Sequence, residues 1–331
     1  MDGRGHIAIG VDVGGSGIKA AGVDTTTGQL ISDRIRLLTP TPSSPAALVP
    51  LIARLVARVT KAVKDPAAPV GVGFPSVVID GVTKSAANID AGWLDFDAEG
   101  ALSKAVGRSV VVVNDADAAG VAEMRFGAGV GRDGTVFVVT LGTGFGSALF
   151  SDGVLVPNLE LGHMEIRGRD AERRSAAAAR VRRGLSWKAW ASDLDEHLNA
   201  IQRLFWPKLF ILGGGVSKNA ERFVPRLTVP VEVVPARLRN EAGIVGAAMF
   251  AAERSARRTR AAGERLAAAS AVDHSAVAAA DASRPEAPVA GTPRRRRTGP
   301  SRSARTPATG PSRSAESLDA AQAKPEHGEA E

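Results

Sequence analysis

The chain has 331 residues, enough for two domains that each bury a sizeable core. It contains no cysteine, which excludes disulfides, thiolate metal sites and a cysteine nucleophile, and fits a reducing cytoplasm. It shows no apolar leader segment and no run of about 18 apolar residues, so we expect a cytoplasmic protein with no membrane partner.

The net charge of +7 is unevenly distributed along the chain. From residue 252 onward the sequence is rich in Ala, Arg, Ser and Pro, and it contains Arg294–Arg297. This composition offers little with which to form a core, so we expect a disordered tail over 252–331. Four consecutive arginines are able to contact nucleic acid, polyphosphate or a membrane surface, but a solvated tail explains them more simply. We therefore expect no nucleic-acid partner except through this tail.

The first predicted elements form a glycine-rich hairpin. Ile7–Val13 and Ala20–Asp24 are apolar strands, with Gly14–Gly17 and Lys19 between them. A Rossmann fingerprint needs a helix after its glycines, and a Walker loop ends in GK[ST], so neither motif is present. Backbone amides in such a hairpin approach phosphate oxygens closely, and Asp12 at its base is placed to hold Mg²⁺ through water. An ordinary glycine turn is the alternative.

Three more elements precede the central strand. Helical spacing of apolar residues predicts a helix over Leu48–Val63, Val70–Phe74 is a strand, and Ala98–Val106 is a helix. A third strand of the hairpin sheet is expected over Gln29–Leu37. Asn88 lies in a loop among small residues, where its amide serves either a polar ligand or simply a turn.

Four consecutive valines, Val110–Val113, predict a fully buried strand that ends in Asn114 and Asp115. Open α/β sheets place ligand groups at the carboxyl ends of their strands. Two interpretations follow: Asp115 is the general base of a phosphoryl-transfer enzyme with Asn114 on the acceptor, or the pair only caps the next helix. Asp117 is expected to be a helix-start residue.

A second strand–glycine loop–strand unit follows. Val136–Leu141 is a buried strand, Gly142–Gly146 is the loop, and Ser147–Phe150 is the return strand. Two such hairpins about 130 residues apart are a weak internal repeat. With a carboxylate-bearing strand between them, they predict a cleft for a phosphorylated ligand.

One short loop combines Glu160, His163 and Glu165. No further cluster of ligating residues supports a metal site here. Carboxylates accept, and imidazole accepts or donates, the hydrogen bonds that vicinal hydroxyls make, so a sugar-binding role is the better interpretation.

The remaining elements complete a second α/β region. They are an exposed Arg-rich helical stretch (Arg167–Arg183), an amphipathic helix (Ser192–Phe205), a strand (Lys208–Leu212), a last strand (Val231–Val234) and a small-residue helix (Asn240–Ala252). After the penultimate strand, Gly213–Gly215 form a third glycine loop. We expect either that the helix N-terminus after it receives a nucleotide phosphate or that an adenosine lies flat over the glycines.

Taken in order, these motifs resemble the ROK family of sugar kinases and repressors, within the actin-like ATPase superfamily. The resemblance covers roughly residues 7–251 and rests on the segments DVGGSGIK, GFPS, AANID, VVNDADAAG, VTLGTGFGSAL, NLELGHMEI and LFILGGGVSKN. Inside the family the chain is similar to the actinobacterial polyphosphate glucokinases, through Leu185–Trp187, Trp190, Leu204–Phe205, Pro207 and Leu209–Lys218. The resemblance implies an α/β, two-domain actin-like (ribonuclease H-like) fold with a cleft between the domains.

The resemblance also implies a role for each matching residue. Asp115 matches the general base, and Asp12 would orient Mg²⁺. The matching sugar ligands are Asn88, Asn114, Glu160, His163 and Glu165. The matching phosphate and nucleotide positions are Asp12, Gly14, Gly15, Ser16, Gly17, Lys19, Thr140, Gly142, Thr143, Gly144, Gly146, Gly213, Gly214 and Gly215.

The implied activity is phosphoryl transfer from inorganic polyphosphate or ATP to the 6-hydroxyl of glucose, in a homodimer. Expected domains are 1–113 and 114–251, with the helix 240–251 packed back on the first domain. Most family members carry a cysteine-rich zinc knuckle after the histidine loop, and its absence here predicts no zinc and fits the polyphosphate-using branch. Ser76 stands where the family commonly has glycine, which would shift that loop slightly.

Other functions remain open from the sequence. One is an ATP-only glucokinase or a kinase of another hexose; a second is a non-catalytic scaffold of the actin kind; a third is a nucleic-acid-binding regulator acting through the tail. The sequence does not rank polyphosphate against ATP. Polyphosphate requires a basic track leading from the cleft, for which Lys84, Arg167 and Lys208 are candidates.

Overall fold

The computed structural model describes residues 6–282, with side chains up to Arg265. The strands in chain order are β1 (Ile7–Gly14), β2 (Gly17–Asp24), β3 (Gln29–Leu30), β4 (Ile35–Leu37), β5 (Val70–Phe74), β6 (Val78–Ile79), β7 (Val82–Thr83), β8 (Phe96–Asp97), β9 (Val110–Asn114), β10 (Thr135–Leu141), β11 (Phe145–Ser151), β12 (Val154–Val156), β13 (Leu209–Gly213) and β14 (Glu232–Pro235). The α-helices are α1 (Pro45–Val63), α2 (Ala98–Val106), α3 (Asp115–Phe126), α4 (Glu172–Ser175), α5 (Ala177–Arg182), α6 (Trp187–Phe205) and α7 (Ala242–Ala282).

Two sheets share one topology. The first has the order β3-β2-β1-β5-β9, with β4 also paired to β2, and the second has the order β12-β11-β10-β13-β14. In each sheet an antiparallel hairpin is extended by two parallel strands. The expected internal repeat therefore has a structural counterpart. A small third sheet, β6-β7-β8, lies outside both.

Helices cover both faces of the first sheet. The apolar residues of α1 recur at helical spacing and bury Leu48, Ile52 and Leu55 against the sheet together with Leu102 of α2. Each such side chain contributes about 1.5–3 kcal/mol of stabilisation on burial. The opposite face is covered by α3 and α7 through small residues.

The second sheet is packed in a similar way. One face meets α6 in a core rich in aromatic residues, where Trp190 packs edge-on against Phe223. The other face meets α3. Because α3 contacts both β5 and β10, it lies between the two halves.

Helix α7 approaches the first half at backbone distance. A Cβ added at Gly10 of β1 or Gly71 of β5 would lie 1.8 Å from a carbonyl oxygen of α7, and one added at Gly246 would lie 1.7 Å from Ala118 O of α3. These overlaps explain why the contact is built from glycine. The C-terminal helix thus forms part of the core of the first half.

Helix α7 continues past residue 252, where the disordered tail was expected to begin, to Ala282. That boundary is wrong, because Ala and Arg are strong helix formers even without an apolar face. Arg254 forms an ion pair with Glu99, and Arg258 donates to Ser109 Oγ. The remaining expected tail, including Arg294–Arg297, lies outside the described residues.

One compact unit, Met1–Asp273, contains both α/β halves, and a second begins at His274. The domain boundary at 113/114 stays a prediction. Two other elements differ from expectation: the strand over 29–37 is split into β3 and β4, and the Arg-rich stretch is helical only in α4 and α5. Within residues 6–282, no helix combines the length and apolar character needed to cross a membrane.

Candidate active site

A cavity of about 660 Å³ lies where the two sheets present the carboxyl ends of their parallel strands. Ligand groups converge at this edge in α/β folds. The predicted residues on its wall are Asp12, Gly14, Gly15, Ser16, Lys19, Asn88, Asn114, Asp115, Thr140, Gly142, Thr143, Gly144, Gly146, Glu160, Gly213, Gly214 and Gly215. Gly17, His163 and Glu165 are not on this wall.

The two hairpin loops face each other across the cavity. Gly14 pairs with Gly17, so the first turn consists of Gly15 and Ser16. A Cβ added at Gly15 would lie 2.9 Å from the Thr143 hydroxyl of the second loop. Gly17 instead packs against Arg36, which donates to Ser16 O at 3.2 Å. The two loops therefore nearly touch at Gly15 and Thr143, and both line the cavity beside that contact.

The third glycine loop is held against the second hairpin. Gly214 has φ +82°, and a Cβ there would lie 2.3 Å from Leu141 O. Glycine is thus required both for the backbone angle and for the close approach. A 3₁₀ segment, Gly215–Arg222, follows instead of the expected α-helix. Its first residue still lines the cavity.

Asp115 is the first residue of α3, immediately after the valine strand β9. Burial raises the pKa of its carboxyl most, the nearby carboxylates of Asp12 and Glu160 add to the rise, and the resulting pKa is about 7. Burial and like charges both disfavour the ionised form. A carboxyl that titrates near neutrality is suited to accept a proton.

Asn114 caps helix α3. Its Oδ1 accepts the backbone N–H groups of Ala116 and Asp117 at 2.9 and 3.0 Å. Its Nδ2 donates to Ser76 O at 3.1 Å and to Glu160 Oε1 at 3.3 Å. The capping interpretation is therefore confirmed for Asn114. Every hydrogen-bonding group of this amide has a protein partner, so a sugar contact by Asn114 requires one of those bonds to be exchanged.

Asp12 and Lys19 form an ion pair on the cavity wall. They are register partners on β1 and β2, and Lys19 Nζ lies 2.8 Å from Asp12 Oδ2. The start of α7 closes the other side, since a Cβ at Gly243 would lie 2.9 Å from Asp12 Cγ. A helix N-terminus beside a carboxylate is electrostatically favourable. Asp12 is thus held in one position by two elements.

The loop with Glu160 and His163 is supported by Asp170. His163 Nδ1 lies 3.2 Å from Asp170 Oδ2, and its Nε2 lies 3.7 Å from Glu160 Oε2. Burial raises the pKa of Glu160. Glu165 is exposed and takes part only in a backbone bridge to Asp170. His163 therefore contacts a cavity residue, whereas Glu165 does not reach the cavity.

Glu172 occupies the wall position that was expected for Glu165. Its Oε2 accepts the Phe145 N–H at 3.0 Å, and its Oε1 lies 3.5 Å from Asn88 Nδ2. It therefore joins the second glycine loop to a residue of the first half. No local pattern marks Glu172, because it stands in a run dominated by Ala and Arg with no motif spacing to Glu160.

The comparisons with known proteins agree with this geometry. A family model described as ROK family matches residues 8–184. The chain belongs to the ROK family. A polyphosphate glucokinase of Mycobacterium tuberculosis is 46% identical over 242 residues, which span 73% of this ROK chain and 89% of the relative.

Two solved structures resemble this ROK chain. The inorganic polyphosphate/ATP-glucomannokinase from Arthrobacter sp. strain KM matches with TM-score 0.73 and 49% identity, covering 75% of this chain and 99% of that one. A ROK family glucokinase from Streptomyces griseus, in complex with glucose and AMPPNP, matches with TM-score 0.65 and 26% identity. The match covers 75% of this chain and 99% of that one. The expected actin-like fold of two domains is confirmed.

Two further groups of this ROK chain escaped the sequence reading. Arg34, Arg36 and Arg239 line the cavity and supply positive charge beside the glycine loops. His197 is buried beneath the loop that carries Glu160 and His163, and it stacks on Phe145 with ring centroids 4.0 Å apart. Only tertiary contacts bring these residues to the site, so no local motif announced them.

The three candidates for a basic track lie away from the cavity wall. Lys84 forms an ion pair with Asp95, and Lys208 lies against Gly134. Arg167 forms an ion pair with Glu196.

Proposed function

We propose that this chain is a glucokinase that transfers a phosphoryl group from inorganic polyphosphate or ATP to the 6-hydroxyl of glucose. The observation that carries the proposal is Asp115, with its pKa raised to about 7, on the wall between two facing glycine loops. The activities named for the mycobacterial and Arthrobacter relatives support the donor and the acceptor.

In this mechanism Asp115 accepts the proton of the attacking hydroxyl. Phosphoryl transfer needs little covalent work from the protein, so positioning and charge neutralisation dominate. General-base assistance is worth about 10²–10⁴-fold. Because protonated Asp115 cannot accept a proton, kcat/KM for glucose should fall as the pH drops through about 7.

The sugar would be held by the polar wall opposite the loops. Glu160 and Glu172 offer carboxylate oxygens that accept hydroxyl hydrogen bonds, and Asn88 offers an amide that donates or accepts. His163 would act on the sugar directly or by orienting Glu160. We no longer assign Glu165 a sugar contact, because it is exposed beyond the cavity.

The donor phosphates would lie between the glycine loops. Backbone amides of the loops and the cations Lys19 and Arg36 face this region, and the Gly213–Gly215 loop would carry the nucleotide when ATP is the donor. Charge that develops on the transferring group would be neutralised there without reorganisation of the protein.

Asp12 is the residue that would hold Mg²⁺. No group of three or more His, Asp or Glu residues within 6–282 is arranged to hold a metal by itself. Mg²⁺ in phosphoryl-transfer sites takes one or two carboxylates and completes its shell with water and substrate phosphate, so a single carboxylate fits. When bound, the ion would neutralise donor phosphate charge. The absence of zinc, the homodimer and the cytoplasmic location stay predictions.

One coupled assay tests the proposal. Formation of glucose 6-phosphate is measured with either ATP or long-chain polyphosphate as the sole donor. We expect turnover with both donors, and Asp115→Asn should lower kcat by about 10²–10⁴-fold with little change in glucose affinity. Near-normal turnover in that variant would contradict the assignment of Asp115.

Mannose is the second acceptor to test, because the Arthrobacter protein is named a glucomannokinase. Glucose and mannose are compared at equal donor concentration. The ratio of their kcat/KM values decides between a glucokinase and a broader hexose kinase.

Turnover with ATP but not with polyphosphate as the donor would support the ATP-only alternative.

A further inference from the structure

Six arginines line a second concavity, of about 550 Å³, outside the active-site cavity. We call this concavity the arginine groove. Its lining residues are Arg167, Arg169, Arg173, Arg174, Arg182 and Arg183. Such a concentration of one charge on a concave surface produces a local positive potential.

Two carboxylates from α6 neutralise only part of this charge. Asp193 pairs with Arg174 and Arg183, and Glu196 pairs with Arg167 and Arg174. Six guanidinium groups facing two carboxylates leave the groove with a charge of about +4.

Arg169, Arg173 and Arg182 form no ion pair with any side chain in the described part of the chain. All three are exposed. Within the described residues, their side chains form a single hydrogen bond, from Arg182 Nη2 to the backbone oxygen of Arg173. A purely structural network would require only the arginines that meet Asp193 and Glu196, because each unpaired cation adds repulsion.

The groove shares a wall with the active-site cavity. Glu172 faces the cavity while the next residue, Arg173, faces the groove. In α5, Val181 lines the cavity while Arg182 lines the groove. The same wall is bonded to the second glycine loop, since Ala178 N donates to Gly142 O at 3.0 Å. The two sites are thus separated by little more than the thickness of one helix.

The chemistry of the groove matches a phosphate chain. The planar guanidinium group binds phosphate oxygens in a bidentate manner and keeps its charge at all relevant pH values. Glucose is neutral, and the triphosphate of ATP is short and continues into a nucleoside. A binding site for anions beside the cavity therefore suits a donor whose phosphates extend beyond the cavity.

We propose that the arginine groove binds the distal phosphates of an inorganic polyphosphate chain while its terminal phosphate lies between the glycine loops. This inference rests on the proposed function, of which it specifies the donor site. Of the three residues that the sequence offered for a basic track, Arg167 lies in the groove and Lys84 and Lys208 do not.

The test removes the three unpaired charges with Arg169→Gln, Arg173→Gln and Arg182→Gln in one variant of the full chain. The matched control removes three exposed charges from α1, with Arg54→Gln, Arg58→Gln and Lys61→Gln. We expect the KM for long-chain polyphosphate to rise by about 10- to 100-fold in the groove variant only. In the groove variant, the KM for long-chain polyphosphate should also depend less on salt concentration, because the protein neutralises fewer phosphates.

The KM values for ATP, tripolyphosphate and glucose should change by no more than about twofold in either variant. An unchanged KM for long-chain polyphosphate overturns the groove while leaving the kinase assignment intact. Failure of the wild type to use polyphosphate also overturns it. The single variants Arg169→Gln and Arg173→Gln serve if the triple variant folds poorly.

A direct measurement of polyphosphate binding tests the groove independently of whether the protein phosphorylates glucose. Fluorescence anisotropy with labelled long-chain polyphosphate should show weaker binding to the groove variant than to the control, whether or not glucose is phosphorylated. Equal competition by a single-stranded oligonucleotide of the same total charge would show a general polyanion surface and would overturn the assignment to polyphosphate.

Discussion

Asp117 lies buried beneath the loop that carries Glu160. Its Oδ2 accepts the Asn158 N–H at 2.8 Å, while Oδ1 has no hydrogen-bond partner among the residues that the structure describes. Asn158 in turn exchanges two hydrogen bonds of 3.0 Å with the backbone of Val78 in the first half. Asp117 is therefore more than a helix-start residue, because it anchors the segment that leads to Glu160.

Burial raises the pKa of Asp117 to about 7, against 3.8 for an unperturbed aspartate. Between these two pKa values the folded chain keeps the proton on Asp117 that the unfolded chain releases. The contribution of Asp117 to the free energy of unfolding is therefore greatest below about pH 4 and falls as the pH rises to about 7. Asn does not titrate, so Asp117→Asn removes this fall. When the pH is raised from 5 to 8, we expect the free energy of unfolding of the variant to rise by about 1–3 kcal/mol relative to that of the wild type.

Urea unfolding of both proteins at pH 5 and pH 8 measures this change. The stability difference between the variant and the wild type is compared at the two pH values. Any cost of burying the amide is the same at both and therefore cancels. A stability difference that is independent of pH would show that Asp117 is ionised in the folded state across this range.

At the level of residues, the sequence identified groups near the carboxyl ends of strands but missed groups brought in by tertiary contacts. Asp12 lies near the end of β1, Asn114 ends β9 and Asp115 follows it, and all three line the cavity. Glu172 was missed in favour of Glu165 because nothing local distinguishes them. Their difference arises from the bond of Glu172 to Phe145 N, which belongs to another element.

Among the elements, α7 enters the core of the first half through its first turns, where Ile244, Val245 and Ala248 are buried. Where this helix meets β1, β5 and α3, a carbonyl oxygen lies against a glycine of the neighbouring element or of α7 itself. Because rigid backbone occupies the space, even a methyl group has no room to adjust.

Gly246→Ala and Gly263→Ala form a matched pair in this helix. A Cβ at Gly246 meets Ala118 O at 1.7 Å, whereas a Cβ at Gly263 meets nothing within 4 Å. We expect Gly246→Ala to lower the free energy of unfolding by about 2 kcal/mol or more. Gly263→Ala should leave it unchanged or raise it by up to about 1 kcal/mol through helix propensity.

Urea denaturation of the two variants provides the measurement. Equal effects of the two substitutions would contradict the close packing of α7 on α3. Circular dichroism before denaturation shows whether either variant has lost helix content.

Elements were predicted well where periodicity and packing agree. The helix over Ala98–Val106 and the strand that follows it lie where expected. The expected strand over 29–37 failed because the Ser32 hydroxyl accepts the Gly22 N–H at 2.9 Å and so replaces a ladder bond. Such competition between a side chain and the backbone is invisible in an apolar pattern.

For the whole molecule, the length of α7 sets where the folded body ends. Arg254 and Arg258 join this helix to Glu99 and Ser109 of the first half, beyond the expected boundary at 252. A chain ended after residue 252 loses both contacts, and one ended after residue 265 keeps them.

We expect the shorter chain to be less stable than the longer one by about 1–2 kcal/mol. Glucose phosphorylation should be the same in both, since neither arginine lines the cavity. Thermal unfolding and the coupled assay on the two truncated chains provide the measurements. Equal stability would return the boundary of the folded body to residue 252.

The return of α7 to β1 also has a consequence for biosynthesis. Gly10 and Gly71 are made long before Ile244 and Ala247, the residues that cover them. At typical translation rates, β1 emerges about 10–50 s before its cover does. During that time the apolar face of the first sheet is open, and the wall beside Asp12 is incomplete. A nascent chain therefore acquires its binding site last, so no ligand can guide the earlier steps of folding.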